Sequence, residues 1–165
     1  HVVRQFYGVT LASLRLSSSL NLLTDTMQFA NGTESTERVR LTIGDPARPT
    51  IVDLDTNSQM PTGQMSAGSV HHIAWRVTGD DAHAQWRRRI ADTGMNVTPI
   101  IDRNYFHSIY YREPGGVLYE IATDNPGFTV DESPGSLGSR LQLPPWLEPE
   151  RERIARRLPP ITVPE

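Results

Sequence analysis

The stretches TIVDLDT (50–56) and VLYEIAT (117–123) align without a gap, and this match decides the fold. Each has the alternation and β-branched content of a strand. Each also carries one carboxylate at the same central place, Asp53 in the first and Glu120 in the second. A mid-strand carboxylate is costly to bury without a partner or a cation. Its recurrence marks two diverged copies of one unit.

Working outward, FYGVTLA (6–12) and VHHIAWRV (70–77) read as the opening strands of the two copies. Laid so that Gly8 meets His72, they stand 45 and 48 residues ahead of Asp53 and Glu120. A helical stretch follows each. Leu16, Leu20, Leu23 and Met27 recur at helical spacing in the first copy, and Ala82, Trp86 and Ile90 in the second. Asp80 or Asp81 serves as the N-cap of the second helix and Gly94 as its stop. RVRLTIG (38–44) is a further strand of the first copy; VTPIIDR (97–103) and HSIYYRE (107–113) are further strands of the second. EPGG (113–116) is a hairpin turn. Strand, helix and strands, twice over, predict an α+β fold of two modules at 3–58 and 69–126, with helices packed on a mixed sheet. The Pro- and Gly-bearing segment QMPTGQMSAGS (59–69) marks the boundary between them. Periodicity fades from Asp124, and LPPWLEPERERIARRLPP (143–160) reads as a short charged helix between prolines, within a C-terminal clasp over 127–165.

With 165 residues, a net charge of -3 and a pI near 6.0, the chain holds one domain or a tight pair of modules. Its charge argues against nucleic acid or an anionic membrane as partner. All 16 basic side chains are arginine. The absence of cysteine excludes disulfides, thiolate metal sites and a cysteine nucleophile, so any metal falls to His, Asp or Glu. No apolar run reaches the roughly 18–20 residues of a membrane span, and no signal pattern opens the chain, so a cytoplasmic location is expected. His1 stands where an initiator Met is usual, which suggests a processed or truncated front.

Alternate strand residues share a face. His72 then lies with Val70, Ala74 and Arg76, and His71 with the apolar, helix-packing set Ile73, Trp75 and Val77. Glu120 shares its face with Leu118 and Ala122. If the two strands are neighbours, His72 and Glu120 meet. An imidazole with a carboxylate suits Fe(II), Mn(II), Ni(II) or Zn(II); the alternative is an ordinary hydrogen-bonded pair. Tyr110 lies on one face with Ser108 and Phe106, just after Arg103. Tyr and Arg beside a metal can hold a phenolate oxygen; the alternative is a satisfied core Tyr and a solvated Arg. His107 points to the other face and reads as structural. His83 reads as solvated, and Arg87, Arg88 and Arg89 as an exposed helix face.

VHHIAWRV, NYFHSIYYREPGGVLYEIATDNPGFTVDE (104–132) and LPPWLEPERERI (143–154) closely resemble the ring-cleaving dioxygenases of the vicinal oxygen chelate (glyoxalase-like) superfamily, in particular those acting on substituted hydroquinones. The resemblance covers most of the second copy and the tail and is weaker in the first. It implies paired βαβββ modules forming a cup around a divalent metal, with His72 and Glu120 as ligands. It also implies catalytic roles for His71, Arg103 and Tyr110 around the metal.

The chain departs from that pattern in one respect. Such enzymes resemble chains of four modules, with a third ligand, a histidine, near the front; here the matching position of the first copy is Gly8. The expectation is therefore the C-terminal half of an Fe(II)-dependent extradiol-type ring-cleaving dioxygenase, with Mn(II), Ni(II) or Zn(II) as alternative metals. Its substrates would be a hydroquinone-like dihydroxyaromatic and O2. The third ligand would come from an N-terminal half, from a second copy in a homo-oligomer, or from Asp53. The competing readings are a glyoxalase-type metal-dependent lyase or isomerase, and a non-catalytic, resistance-type module that binds aromatics.

Overall fold

The computed structural model describes residues 6–55, 63–64 and 66–160. The outer ends of the expected first module and of the expected clasp, and residues 59–62 and 65 of the expected boundary segment, lie outside the described residues. Two four-stranded mixed sheets make up the α+β fold.

The first sheet is built from β1 (Gly8–Ala12), β2 (Ala30–Glu34), β3 (Arg38–Ile43) and β4 (Thr50–Asp55). The second is built from β5 (Ile73–Val77), β6 (Ile101–Asp102), β7 (Phe106–Arg112) and β8 (Leu118–Pro126). Their orders, β1-β4-β3-β2 and β5-β8-β7-β6, are the same topology twice. In each, the opening strand runs parallel to the last one, a pairing that requires a crossover. The carboxylate strand is central in each sheet and is buried on both sides: Ile51, Val52, Asp53 and Leu54 in β4, and Tyr119, Glu120 and Ile121 in β8.

The register makes the internal repeat literal. Thr10 and Arg40 flank Asp53, and Ala74 and Tyr110 flank Glu120. Counting back two residues from Thr10 and from Ala74 sets Gly8 against His72, as the sequence alignment does. Helix α1 (Leu16–Asn21) continues as a wider π turn over Leu22–Thr26, in which Met27 N–H donates to the Leu22 carbonyl at 2.9 Å. It buries Leu22, Leu23 and Met27 in the core. Helix α2 (Gly79–Asp92) buries Ile90, and Trp86 packs against the same core. An edge-to-face series, Phe29 to Trp75 to Tyr119 to Tyr111, carries the core from the first module into the second, with ring centroids 5.5, 5.6 and 5.7 Å apart.

A buried polar seam joins the modules beside that core. Glu113, at the start of the expected EPGG hairpin, is 2% exposed. It accepts a hydrogen bond from Ser19 Oγ of α1 at 2.5 Å and from the Val117 N–H at 2.9 Å. Ser13 lies 2.7 Å from Ser19. A Cβ on Gly115 would run into Ser13 Oγ and the Glu113 carboxylate, so the glycine is what lets the turn close on the seam.

Several local expectations need correction. β2 was not anticipated, because ANGTE is polar and fully exposed; only its pairing with β3 makes it a strand. The expected strand over 97–103 shrinks to Ile101–Asp102, because Pro99 has no N–H to offer the ladder. Upstream of that proline, Thr98 donates its N–H to the Tyr110 carbonyl and accepts the Tyr110 N–H on its hydroxyl, both at 3.0 Å. Helix α2 starts one residue before Asp80, with Thr78 at the cap, so Asp80 and Asp81 occupy its first turn, where the helix dipole favours them. Gly94, at φ +84°, ends it as expected.

His83 is not solvated: it is 0% exposed, and its Nε2 lies 2.8 Å from the Ile121 carbonyl. Of the three consecutive arginines only Arg88 is open. Arg87 donates to the Thr98 carbonyl at 2.9 Å, and Arg89 sits 5.2 Å from the Trp86 ring centroid. His107 is held by Asp80 at 2.7 Å on the helix side of the sheet. The tail forms short 3-10 turns and then α3 (Arg151–Ala155), pinned by Arg151 to Glu148 and Arg153 to Glu150. Among the described residues no helix is long and apolar enough to cross a membrane.

Two measurements test this account. Leu23→Ala, at a fully buried site, should lower the unfolding free energy in urea by about 2–5 kcal/mol. The second concerns Asp53, whose carboxyl is held below its ordinary range by the Arg40 hydrogen bonds above all. The depressed value means that the pair stabilises the fold fully above the unfolded-state value of about 4 and ceases to as pH falls through the folded-state value. Wild type should therefore lose more stability than Asp53→Asn on going from pH 6 to pH 3; equal losses would contradict the pairing.

Candidate metal centre

A buried carboxylate needs partners, and Glu120 has them on both flanks. It is 3% exposed at the middle of β8. Its Oε1 accepts a hydrogen bond from the Tyr110 hydroxyl at 2.9 Å and a second, short one from Ser108 Oγ. Both donors are on β7, two residues apart and so on one face, the face opposite the helix. The other oxygen, Oε2, lies 2.7 Å from His72 Nε2. The expected meeting of His72 and Glu120 is thus observed.

His71 lies elsewhere than strand alternation placed it. The ladder begins at Ile73, so the two histidines precede it and escape its alternation. His71 is exposed rather than packed on the helix side, and its Nδ1 lies 2.7 Å from His72 Nδ1, with the two rings perpendicular. One imidazole nitrogen of the pair must carry the hydrogen between them. This contact fixes the orientation of the His72 ring and turns Nε2 to the carboxylate.

Tyr110 ties the group together. Its ring is perpendicular to that of His72 at 6.1 Å between centroids, and the Arg103 guanidinium carbon stands 5.7 Å from its ring centroid. Burial foremost, then the hydrogen bond to Glu120 and its charge, push the Tyr110 phenol above its ordinary range; Ser108 and Arg103 act in the opposite direction. At neutral pH the phenol keeps its proton. His72, Glu120, Tyr110 and Arg103 therefore stand in one cluster, joined by His71, which strand alternation had placed on the other face. Ser108, which is 0% exposed, was anticipated only as a face-mate of Tyr110. The available signal was a small hydroxyl between two aromatic residues, Phe106 and Tyr110, of the same strand face.

The donor chemistry fits a divalent metal in part. His72 has one nitrogen engaged by His71, and Glu120 has one oxygen engaged by Tyr110 and Ser108. The remaining imidazole nitrogen and carboxylate oxygen face each other at 2.7 Å, each oriented by its outer partner in the manner of metal ligands. Among the described residues no third His, Asp or Glu joins them. Asp53 does not serve: Arg40 engages both its oxygens, through Nε at 2.8 Å and Nη2 at 2.7 Å.

Comparison with known proteins places the chain in a family. A sequence model of the glyoxalase/bleomycin resistance protein/dioxygenase superfamily matches residues 15–121. MhqO of Bacillus subtilis (strain 168), provisionally named a ring-cleaving dioxygenase, is 42% identical over 99% of this chain and 52% of its own length. The chlorohydroquinone/hydroquinone 1,2-dioxygenase of Sphingobium indicum is 37% identical over 70% of this chain and 36% of its own. A crystal structure of a provisionally named dioxygenase from Bacillus subtilis superposes with a TM-score of 0.87 at 42% identity, over 97% of this chain and 51% of that one. The chain spans about half the length of the relatives it matches over nearly all of its residues. By its repeated sheet topology, its matched motifs and these likenesses, the chain belongs to the glyoxalase/bleomycin resistance protein/dioxygenase superfamily.

Proposed function

We propose that this chain supplies two of the three protein ligands of a ring-cleaving dioxygenase, His72 and Glu120, with Fe(II) as the metal. The observation that carries the reading is the 2.7 Å approach of His72 Nε2 to Glu120 Oε2, with the remaining nitrogen and oxygen each engaged from outside. Two ligands leave the set one short. A histidine or carboxylate from an N-terminal half of the same enzyme or from another copy of the chain completes it.

The substrate class is a hydroquinone-like dihydroxyaromatic together with O2, in keeping with the name of the Sphingobium relative. A redox-active divalent metal held here supplies a common template for the ring oxygen and O2 and a path for electron density between them. The chain's own residues do the remaining work. Tyr110, protonated at neutral pH, donates its single O–H to Glu120 Oε1 and can turn it to a phenolate oxygen on the open face, since Ser108 still donates to Oε1. The Arg103 cation beside its ring favours the negative charge that builds on that oxygen. His71 holds the His72 ring in place and, being exposed, can exchange a proton with solvent.

Metal content and turnover separate these roles. His72→Ala and Glu120→Ala should each lose the metal that the wild type retains through desalting, as read by elemental analysis. Normal content in both variants would overturn the site. Tyr110→Phe should keep the metal yet lower kcat for hydroquinone-dependent oxygen uptake by about a hundredfold. An unchanged kcat would remove Tyr110 from the chemistry.

A further inference from the structure

The open face continues past the Glu120 row, and what lies there is built from small side chains and then from a charged pair. Ala74 of β5 is the cross-strand neighbour of Glu120, and Ala122 of β8 is that of Arg76. Ala74 is exposed and Ala122 is partly exposed, although β8 is a central strand. The sheet is therefore uncovered beside the buried carboxylate, with only methyl groups as its floor.

At the far end of this floor Arg76 Nε donates to Asp124 Oδ1 at 2.5 Å. The two terminal nitrogens of Arg76 and Oδ2 of Asp124 make no hydrogen bond among the described residues. An exposed ion pair of this kind adds little to stability, so its position is the informative property. Strands advance about 3.3 Å per residue, which puts Arg76 roughly 7 Å and Asp124 roughly 13 Å along the face from the Glu120 row, with their contact between the two. That span suits an aromatic ring lying flat on the two alanines with oxygens at opposite corners.

We propose that Arg76 and Asp124 are specificity-determining residues that receive the second hydroxyl of a para-dihydroxyaromatic whose first oxygen lies at the His72–Glu120 end. The inference rests on the dioxygenase reading above and adds to it the end of the site that distinguishes one dihydroxyaromatic from another. The pairing selects the substituent. A guanidinium alone would favour a carboxylate, but Asp124 beside it neutralises the charge and repels an anionic oxygen. A donor next to an acceptor matches a hydroxyl, which both accepts and donates. An ortho-diol places both oxygens at the His72 end and leaves the pair without a partner, which costs affinity when the ring excludes water.

The test is equilibrium binding of hydroquinone, catechol and phenol to the metal-loaded full-length protein in the absence of oxygen, followed by calorimetry, with circular dichroism as the check on folding. Wild type should bind hydroquinone more tightly than phenol. Arg76→Met should weaken hydroquinone about tenfold, the loss of one charge-assisted hydrogen bond, and leave catechol and phenol unchanged. Asp124→Leu should raise the affinity for 4-hydroxybenzoate relative to hydroquinone. Equal effects of Arg76→Met on all three rings, or no effect on hydroquinone, would overturn the assignment while the dioxygenase reading stands. A wild-type protein that binds none of the rings would overturn that reading and this one with it.

Discussion

Burying a carboxylate at the centre of a β-sheet costs several kcal/mol unless its oxygens are engaged, and this requirement organises the second module. Glu120 is fixed in β8 between β5 and β7, so its partners must come from those two strands. β7 supplies Tyr110 and Ser108 to one oxygen, and the segment leading into β5 supplies His72 to the other. Around a charge held in this way, the aromatic core on the helix side and the open face on the other follow from ordinary strand alternation.

The first module meets the same requirement differently. Asp53 occupies the equivalent point of β4, but the residue opposite it on β3 is Arg40, and a bidentate guanidinium satisfies the carboxylate within the sheet. Arg38 adds a second, more distant cation at 3.9 Å. Gly8 stands where His72 stands in the other copy, and a Cβ there would press on Ile51. One copy of the repeat has thus turned its carboxylate into a structural ion pair. The other turns its carboxylate toward an imidazole beside an open face.

Much of this was legible in the chain. The gapless match of TIVDLDT to VLYEIAT yielded the repeat and the two carboxylate strands, because alternation and spacing are local properties; the meeting of His72 with Glu120 followed only once β5 and β8 are neighbours. His71, His83 and the strand over 97–103 were not legible in the same way. His71 depends on where the ladder begins, and His83 on a carbonyl of β8 that lies 38 residues away. The short β6 depends on which side of Pro99 the chain can still pair. β2, polar and exposed, has no signal of its own and is a strand only because β3 lies beside it.

The sequence by itself determined the repeat, the α+β class, the identity of both carboxylates and the restriction of any metal to His, Asp or Glu, since residue type, periodicity and the absence of cysteine are complete in one dimension. Only the tertiary structure decided which oxygen of Glu120 meets His72, that Asp53 is committed to Arg40, and that a strip of alanines runs from Glu120 to the Arg76–Asp124 pair. Those facts depend on cross-strand register and on the atoms facing each side chain, which are fixed when distant segments pack.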